Sequence, residues 1–255
     1  MKTANSKPWF MLMVFVMSAL LWNVPPVPGA ETVDHDLYGR LLGRYVKDGV
    51  VNYQGFKENE AILDQYLKLL EKTDTRTLSR NEQFAFYVNA YNAWTIKLIL
   101  TGYPGIESIK DLGSIFKSPW KKKICRIDGR LLTLDNIEHD ILRARFKDPR
   151  VHFAVNCASK GCPPLRSEPY RGKVLDQQLD DMTTRFINDP VWNHLEGDTL
   201  YASRIFDWFE GDFNDDVPGF FLKYAKGDLK RQLEEKRGDL RLKYLDYDWS
   251  LNDNY

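Results

Sequence analysis

Three side chains in one short stretch carry most of the reactive chemistry of this sequence. HFAVNCASKGCPPL, residues 152–165, holds His152, Cys157 and Cys162, in a chain whose totals are 3 cysteines and 4 histidines. A thiol beside an imidazole can act as a nucleophile with its general base. Two nearby thiols can close a small disulfide loop. Thiols and imidazoles together can also ligate zinc.

The run RVHFAVNC reads as a buried strand, in which alternate side chains share a face. His152 and Asn156 then lie on one face, and Cys157 turns to the other, apolar one. Along a strand, His152 and Cys157 stand about 16 Å apart, beyond hydrogen-bond reach. Cys162 follows a flexible ASKG loop that can turn back toward the histidine. These residues predict Cys162 as nucleophile, His152 as general base and Asn156 as the group that orients the ring. Lys160 would favour the thiolate, while Pro163 holds Cys162 out of helical geometry and denies it a helix N-terminus. The competing arrangement joins Cys157 to Cys162 and leaves Cys125 alone. A zinc set would draw on His139, His152, Cys157 and Cys162, with Glu138 as an extra ligand. Its spacing matches no standard finger or ribbon, so the expected site has no metal and no cofactor. His35 and His194 read as loop or surface residues.

These groups need elements to hold them. The strongest helix is LSRNEQFAFYVNAYNAWTIKLIL, opened by a Ser79/Glu82 capping box and ended near Leu100 by Gly102 and Pro104. It is apolar almost all round, which predicts a central, buried position. Asn89 and Asn92 share one of its faces, and buried asparagines must hydrogen-bond. They either tie the helix to a neighbouring loop or line the site, where one could serve as an oxyanion donor. Residues 121–146 predict a strand, a turn at Asp128-Gly129, a second strand and a helix capped by Thr133. Leu134, Ile137 and Ile141 form that helix's core stripe, with Glu138 half-buried and His139 on another flank; both belong to the expected site's surroundings, as does Cys157. Other helices are expected over 34–46, 59–72 and 177–189, and over PGFFLKYAKG and DLKRQLEEKRG. Hairpins turn at Asp48-Gly49 and at Glu196-Gly197-Asp198, and RLKYLDYDWSLN closes the chain as a strand. Trp208, Phe209 and Trp249 read as core residues. The class predicted is α+β, with a central buried helix packed on a mainly antiparallel sheet and several peripheral helices.

Composition restricts the function classes. Hydrophobic residues make up 43%, charged residues 28%, and the formal net charge is zero. A zero balance gives no electrostatic support for a nucleic-acid partner. At the N-terminus, Lys2 and Lys7 precede an apolar run from Trp9 to Trp22, followed by small residues up to Gly29 and Ala30. This pattern predicts a secretory signal peptide over residues 1–30 and a periplasmic or secreted single domain over 31–255. The run is short of the roughly 20 residues that span a bilayer, so no stable membrane span is expected after cleavage. Nothing in the sequence specifies an oligomeric state. There is no G-x-S-x-G, H-E-x-x-H, P-loop or G-x-G-x-x-G.

Five separated blocks, YVKDGVVNY (45–53), NEQFAFYVNAYNAW (81–94), LTLDNIEHDILR (132–143), VHFAVNCASKGCPPL (151–165) and YLDYDWSLN (244–252), resemble the DUF547 domain, a bacterial family of unknown function. A more distant similarity is to the papain-like and transglutaminase-like cysteine hydrolases, which also place a histidine at the start of a core strand. The sequence departs from them in having no cysteine on its central helix. Residues and resemblance together predict a cysteine-dependent hydrolase or acyltransferase acting on a peptide or cell-envelope substrate. The alternative is a non-catalytic envelope or exopolysaccharide-associated binding domain, in which the same residues make a structural core.

Overall fold

The computed structural model describes Met1, residues 32–114 and residues 117–253. The expected signal peptide, apart from Met1, therefore lies outside the described residues. Among the described residues, no helix is long and apolar enough to cross a membrane.

The chain opens with helix α1 (Asp36–Tyr45), a two-residue hairpin of β1 (Val46–Lys47) and β2 (Val50–Val51), then α2 (Tyr53–Glu58) and α3 (Glu60–Lys72). The central helix α4 spans Arg80–Leu100, and the Ser79 hydroxyl caps it by accepting from the Glu82 N–H at 3.3 Å. Its side chains are buried on nearly every face, including Asn89, Asn92 and Thr95. Apolar residues on all sides leave such a helix stable only when it is surrounded. It is surrounded here by α2, α3, the turn of helix at Gly172–Val174 and the helix Asn136–Phe146.

The second hairpin, β3 (Cys125–Ile127) and β4 (Arg130–Leu132), turns at Asp128-Gly129 as expected. Thr133 then starts the next helix. Its hydroxyl oxygen accepts from the Asn136 N–H at 3.0 Å, while its own N–H and O–H donate to Asn136 Oδ1. Leu134, Ile137 and Ile141 are buried along one side, as the periodicity predicts. The segment Asn136–Phe146 is a π-helix, a wider winding that occurs mostly as single turns and often at functional sites.

Beyond it the sequence reading needs correction. Residues 151–157 are not a strand: Pro149–Phe153 is a turn of 3-10 helix, followed by irregular chain. Asp148 caps it by accepting from the Arg150 N–H at 3.0 Å, and Pro149 at its first position pre-sets the turn. A short apolar run cannot be told from a buried helical segment by periodicity alone, and the Asp148-Pro149 start signal decides between them. The alternation that put His152 and Asn156 on one face, with Cys157 toward the core, therefore does not exist.

The remainder comprises α5 (Leu175–Ile187), β5 (His194–Glu196), β6 (Thr199–Ala202), α6 (Ile205–Trp208), α7 (Val217–Tyr224), α8 (Gly227–Glu235) and β7 (Arg241–Tyr244). The class is α+β, with antiparallel pairing in three small ladders and one parallel pairing, β6 with β7. The strands form no single sheet beneath α4. They sit in three separate small sheets, and the central helix packs mainly on helices and loops. The closing strand stops at Tyr244. Residues 245–253 instead run extended across the surface, held by bridges at Ser159–Leu251 and Val51–Asp253.

Candidate functional site

His152 lies within the 3-10 turn at 3% exposure, with its ring stacked on Phe209 at 4.1 Å between centroids. Its Nε2–H donates to Asp212 Oδ2 at 2.7 Å. Asp212 also takes a forked pair of hydrogen bonds from Arg143, Nε at 2.6 Å and an amino nitrogen at 3.0 Å. Hydrogen bonds from His152 and Arg143 hold the Asp212 carboxyl well below the usual carboxylate range, against the opposing effect of burial. The remaining amino nitrogen of Arg143 donates to His139 Nδ1 at 2.9 Å. Arginine has no acceptor, so Nδ1 is the unprotonated nitrogen of His139. His139, Arg143, Asp212 and His152 thus form one connected chain, with the Arg143 guanidinium also lying over the Phe209 ring at 4.7 Å.

Cys157 and Cys162 are joined in a disulfide, and buried Cys125 is the free thiol. The loop between the pair is fixed at every turn. Asn156 Nδ2 donates to the Pro163 carbonyl at 2.8 Å, and its Oδ1 accepts from the Ala158 N–H at 2.9 Å. Those bonds occupy Asn156, so it does not orient His152; Asp212 does. Sequence reasoning missed Asp212, because nothing in RIFDWFEGDF marks it over Asp207 or Glu210. The two helix asparagines are backbone clamps. Asn92 accepts from the Asn156 N–H at 2.8 Å and donates to the Ala154 carbonyl at 2.9 Å. Asn89 does the same for Tyr170, donating at 2.8 Å and accepting at 2.9 Å. Asn92 thereby holds the segment between His152 and Cys157, and Asn89 stands on another loop.

The C-terminal segment completes the site. Lys160 and Gly161 donate their N–H groups to the Ser250 and Asp248 carbonyls, and Asn252 donates to the Ala158 carbonyl. This strap delivers Tyr247, whose hydroxyl oxygen is 3.1 Å from each sulfur and 2.9 Å from Ser159 Oγ. The Cys157 N–H also points at Cys162 Sγ, at 2.9 Å. Burial pushes the Tyr247 hydroxyl far above its ordinary value, which keeps it a proton donor.

These groups face one cleft of about 230 Å³, lined by Glu138, His139, His152, Cys157 and Cys162 together with a wall of aromatic rings. Trp208, Phe209 and Trp249 belong to that wall rather than to the core, and Trp208 is 45% exposed. Tyr91, Trp120 and Tyr247 complete it. His35, by contrast, is fully buried and donates to or accepts from the Tyr66 hydroxyl at 2.7 Å, so it is no surface residue. His194 stacks on Tyr201 away from the cleft. Among the described residues, no group of three or more His, Cys, Asp or Glu side chains converges as a metal site would.

Residues 75–187 match the DUF547 family. That family is described as a protein of unknown function, so the match brings no reaction with it. The DUF547 match takes in the blocks at 81–94, 132–143 and 151–165, whereas those at 45–53 and 244–252 fall outside it. It supplies Glu138, His139, His152 and both cleft cysteines. Asp212, Tyr247 and Trp249 come from beyond it. No curated protein and no solved structure matches the chain.

Proposed function

We propose that this protein is exported behind its first 30 residues. We further propose that its cleft works as a cysteine-dependent hydrolase or acyltransferase on a peptide or cell-envelope substrate when the Cys157–Cys162 pair is reduced. The observation that carries this reading is the environment of Cys162 Sγ. It is met by the Cys157 N–H, the Ser159 hydroxyl at 3.5 Å and the Tyr247 hydroxyl, in the cleft that also holds the His152–Asp212 pair. Donors aimed at a sulfur stabilise the thiolate over the thiol. Asp212 fixes the proton of His152 on Nε2, which leaves Nδ1 to exchange protons with a reacting group. A basic start, a short apolar run and a disulfide all suit an oxidising compartment.

The chemistry runs as follows. An external dithiol gives two electrons and two protons to the Cys157–Cys162 disulfide and leaves as a disulfide itself, freeing two thiols. Cys162 loses its proton to His152 and attacks the acyl carbonyl carbon. The leaving group departs with that proton, and a thioester remains. Water or an amine then takes the acyl group, passing its proton through His152 and restoring the thiol.

The disulfide itself favours the second reading, a binding domain whose cysteines and asparagines are structural. The two readings separate in one alkylation experiment on reduced, folded protein. Under the first, one cleft cysteine reacts rapidly with iodoacetamide near neutral pH, and His152→Ala slows it about a hundredfold. If the cleft thiols stay inert after reduction, or react at the same rate in His152→Ala, the hydrolase reading fails and the binding domain stands.

A further inference from the structure

The cleft that holds the cysteines combines aromatic faces with a carboxylate, Glu138, that makes no ion pair among the described residues. Glu138 lines the cleft beside Tyr91, whose hydroxyl is pushed far above its ordinary value by burial and by that neighbouring carboxylate. Among the described residues, no lysine or arginine lines the cleft and no ion pair to Glu138 occurs. The second carboxylate, Asp135, stands 3.6 Å from His139 Nε2. The rings are packed on one another: Trp249 meets Trp120 at 5.8 Å, Tyr247 at 4.5 Å and Trp208 at 5.7 Å between centroids. Trp249 already receives an ammonium group, since Lys110 Nζ stands 3.6 Å from its ring centre.

Ring faces are electron-rich and attract cations, most strongly where water is excluded. A half-buried carboxylate without a cation adds a full charge of the same sign. A neutral ligand would leave that charge uncompensated, and an anionic one would meet it directly. We propose that this wall binds a primary alkylammonium group, of the kind carried by a lysine or other diamino-acid side chain, and that the substrate is an amine-bearing peptide. The volume suits one such side chain rather than a long polymer segment. This inference rests on the proposed function only in taking the cleft as the place where substrate sits. Binding of the amine needs neither free thiol.

The test uses the full chain with its disulfide intact, so that thiol chemistry is silent. Tryptophan fluorescence, to which Trp120, Trp208 and Trp249 contribute among the chain's 7 tryptophans, is followed during titration with Nα-acetyl-lysine N-methylamide. The norleucine counterpart, which lacks the charge, and N-acetylglucosamine serve as comparisons. The lysine derivative is expected to bind roughly tenfold more tightly than the norleucine one, and Glu138→Gln is expected to erase that difference. The preference should also shrink as salt is raised, a readout that needs no variant. Equal binding of the lysine and norleucine derivatives overturns the proposal, as does binding of the sugar alone or of none of the three. Inert thiols after reduction would sink the hydrolase reading and leave this result standing.

Discussion

Asp212 and Asn92 show how differently two buried contacts can serve one site. Asp212 touches the imidazole itself and fixes which nitrogen carries the proton. Asp212→Asn keeps the size but loses the charge, so the imidazole can turn or change tautomer. The expected outcome is a fall of about a hundredfold in the alkylation rate of the reduced protein. Asn92 touches no reacting atom. Asn92→Ala leaves the Asn156 N–H and the Ala154 carbonyl unpaired in the interior, at a cost of about 2–4 kcal/mol. A lowered urea midpoint with unchanged slope would check it, whereas an unchanged midpoint would refute the clamp. At this scale the sequence revealed His152, Cys157 and Cys162, because rare residue types stand out. It did not reveal Asp212 or Tyr247, because common acids and tyrosines acquire a role only from a partner 60 or more positions away.

Elements were legible where local signals agreed, and illegible where an apolar run had two readings. The helix α4 was readable to its last residue from a cap, a periodicity and a Gly/Pro stop. The stretch after Pro149 was not, since VHFAV fits a strand as well as a buried turn of helix. The C-terminal strap was misjudged for a related reason: its backbone bonds go to a loop, not to a neighbouring strand, and no periodicity marks that. Gly161 records the closeness of the contact. A Cβ there would stand 2.9 Å from the Tyr247 ring and 3.0 Å from the Asp248 nitrogen. Gly161→Ala must therefore push Tyr247 off the sulfurs. The expected result is a Cys162 thiol with a raised pKa in the reduced protein, read from the pH dependence of alkylation; an unmoved profile would show that the strap tolerates the methyl.

The molecule as a whole should weaken in acid in two stages. Burial, with help from the Arg171 guanidinium, pulls His35 from 6.5 down to about 4, although Asp34 and Asp36 act the other way. Its folded pKa lies below its unfolded one, so the unfolded chain binds more protons between those values. Stability is full above about 6.5 and falls by roughly 3 kcal/mol as the pH drops toward 4. Asp212, also depressed, contributes above its ordinary value of 3.8 and is lost only below it. Urea midpoints measured from pH 7 to pH 4.5 should therefore slope downward, and His35→Gln should flatten the slope; a flat wild-type profile would contradict the burial of His35. Reduction of the disulfide costs about 2 kcal/mol for so short a loop, so a folded, reduced protein is attainable for the thiol experiments. The strap has one more consequence, and it concerns synthesis. Tyr247 and Trp249 reach the cleft only after the helices and hairpins that precede them have been made, and Asn252 closes on Tyr53 across 199 positions. A chain cut before Tyr247 lacks one wall of the cleft however well its earlier helices have folded, so the segment 247–252 acts as a completeness check on the site.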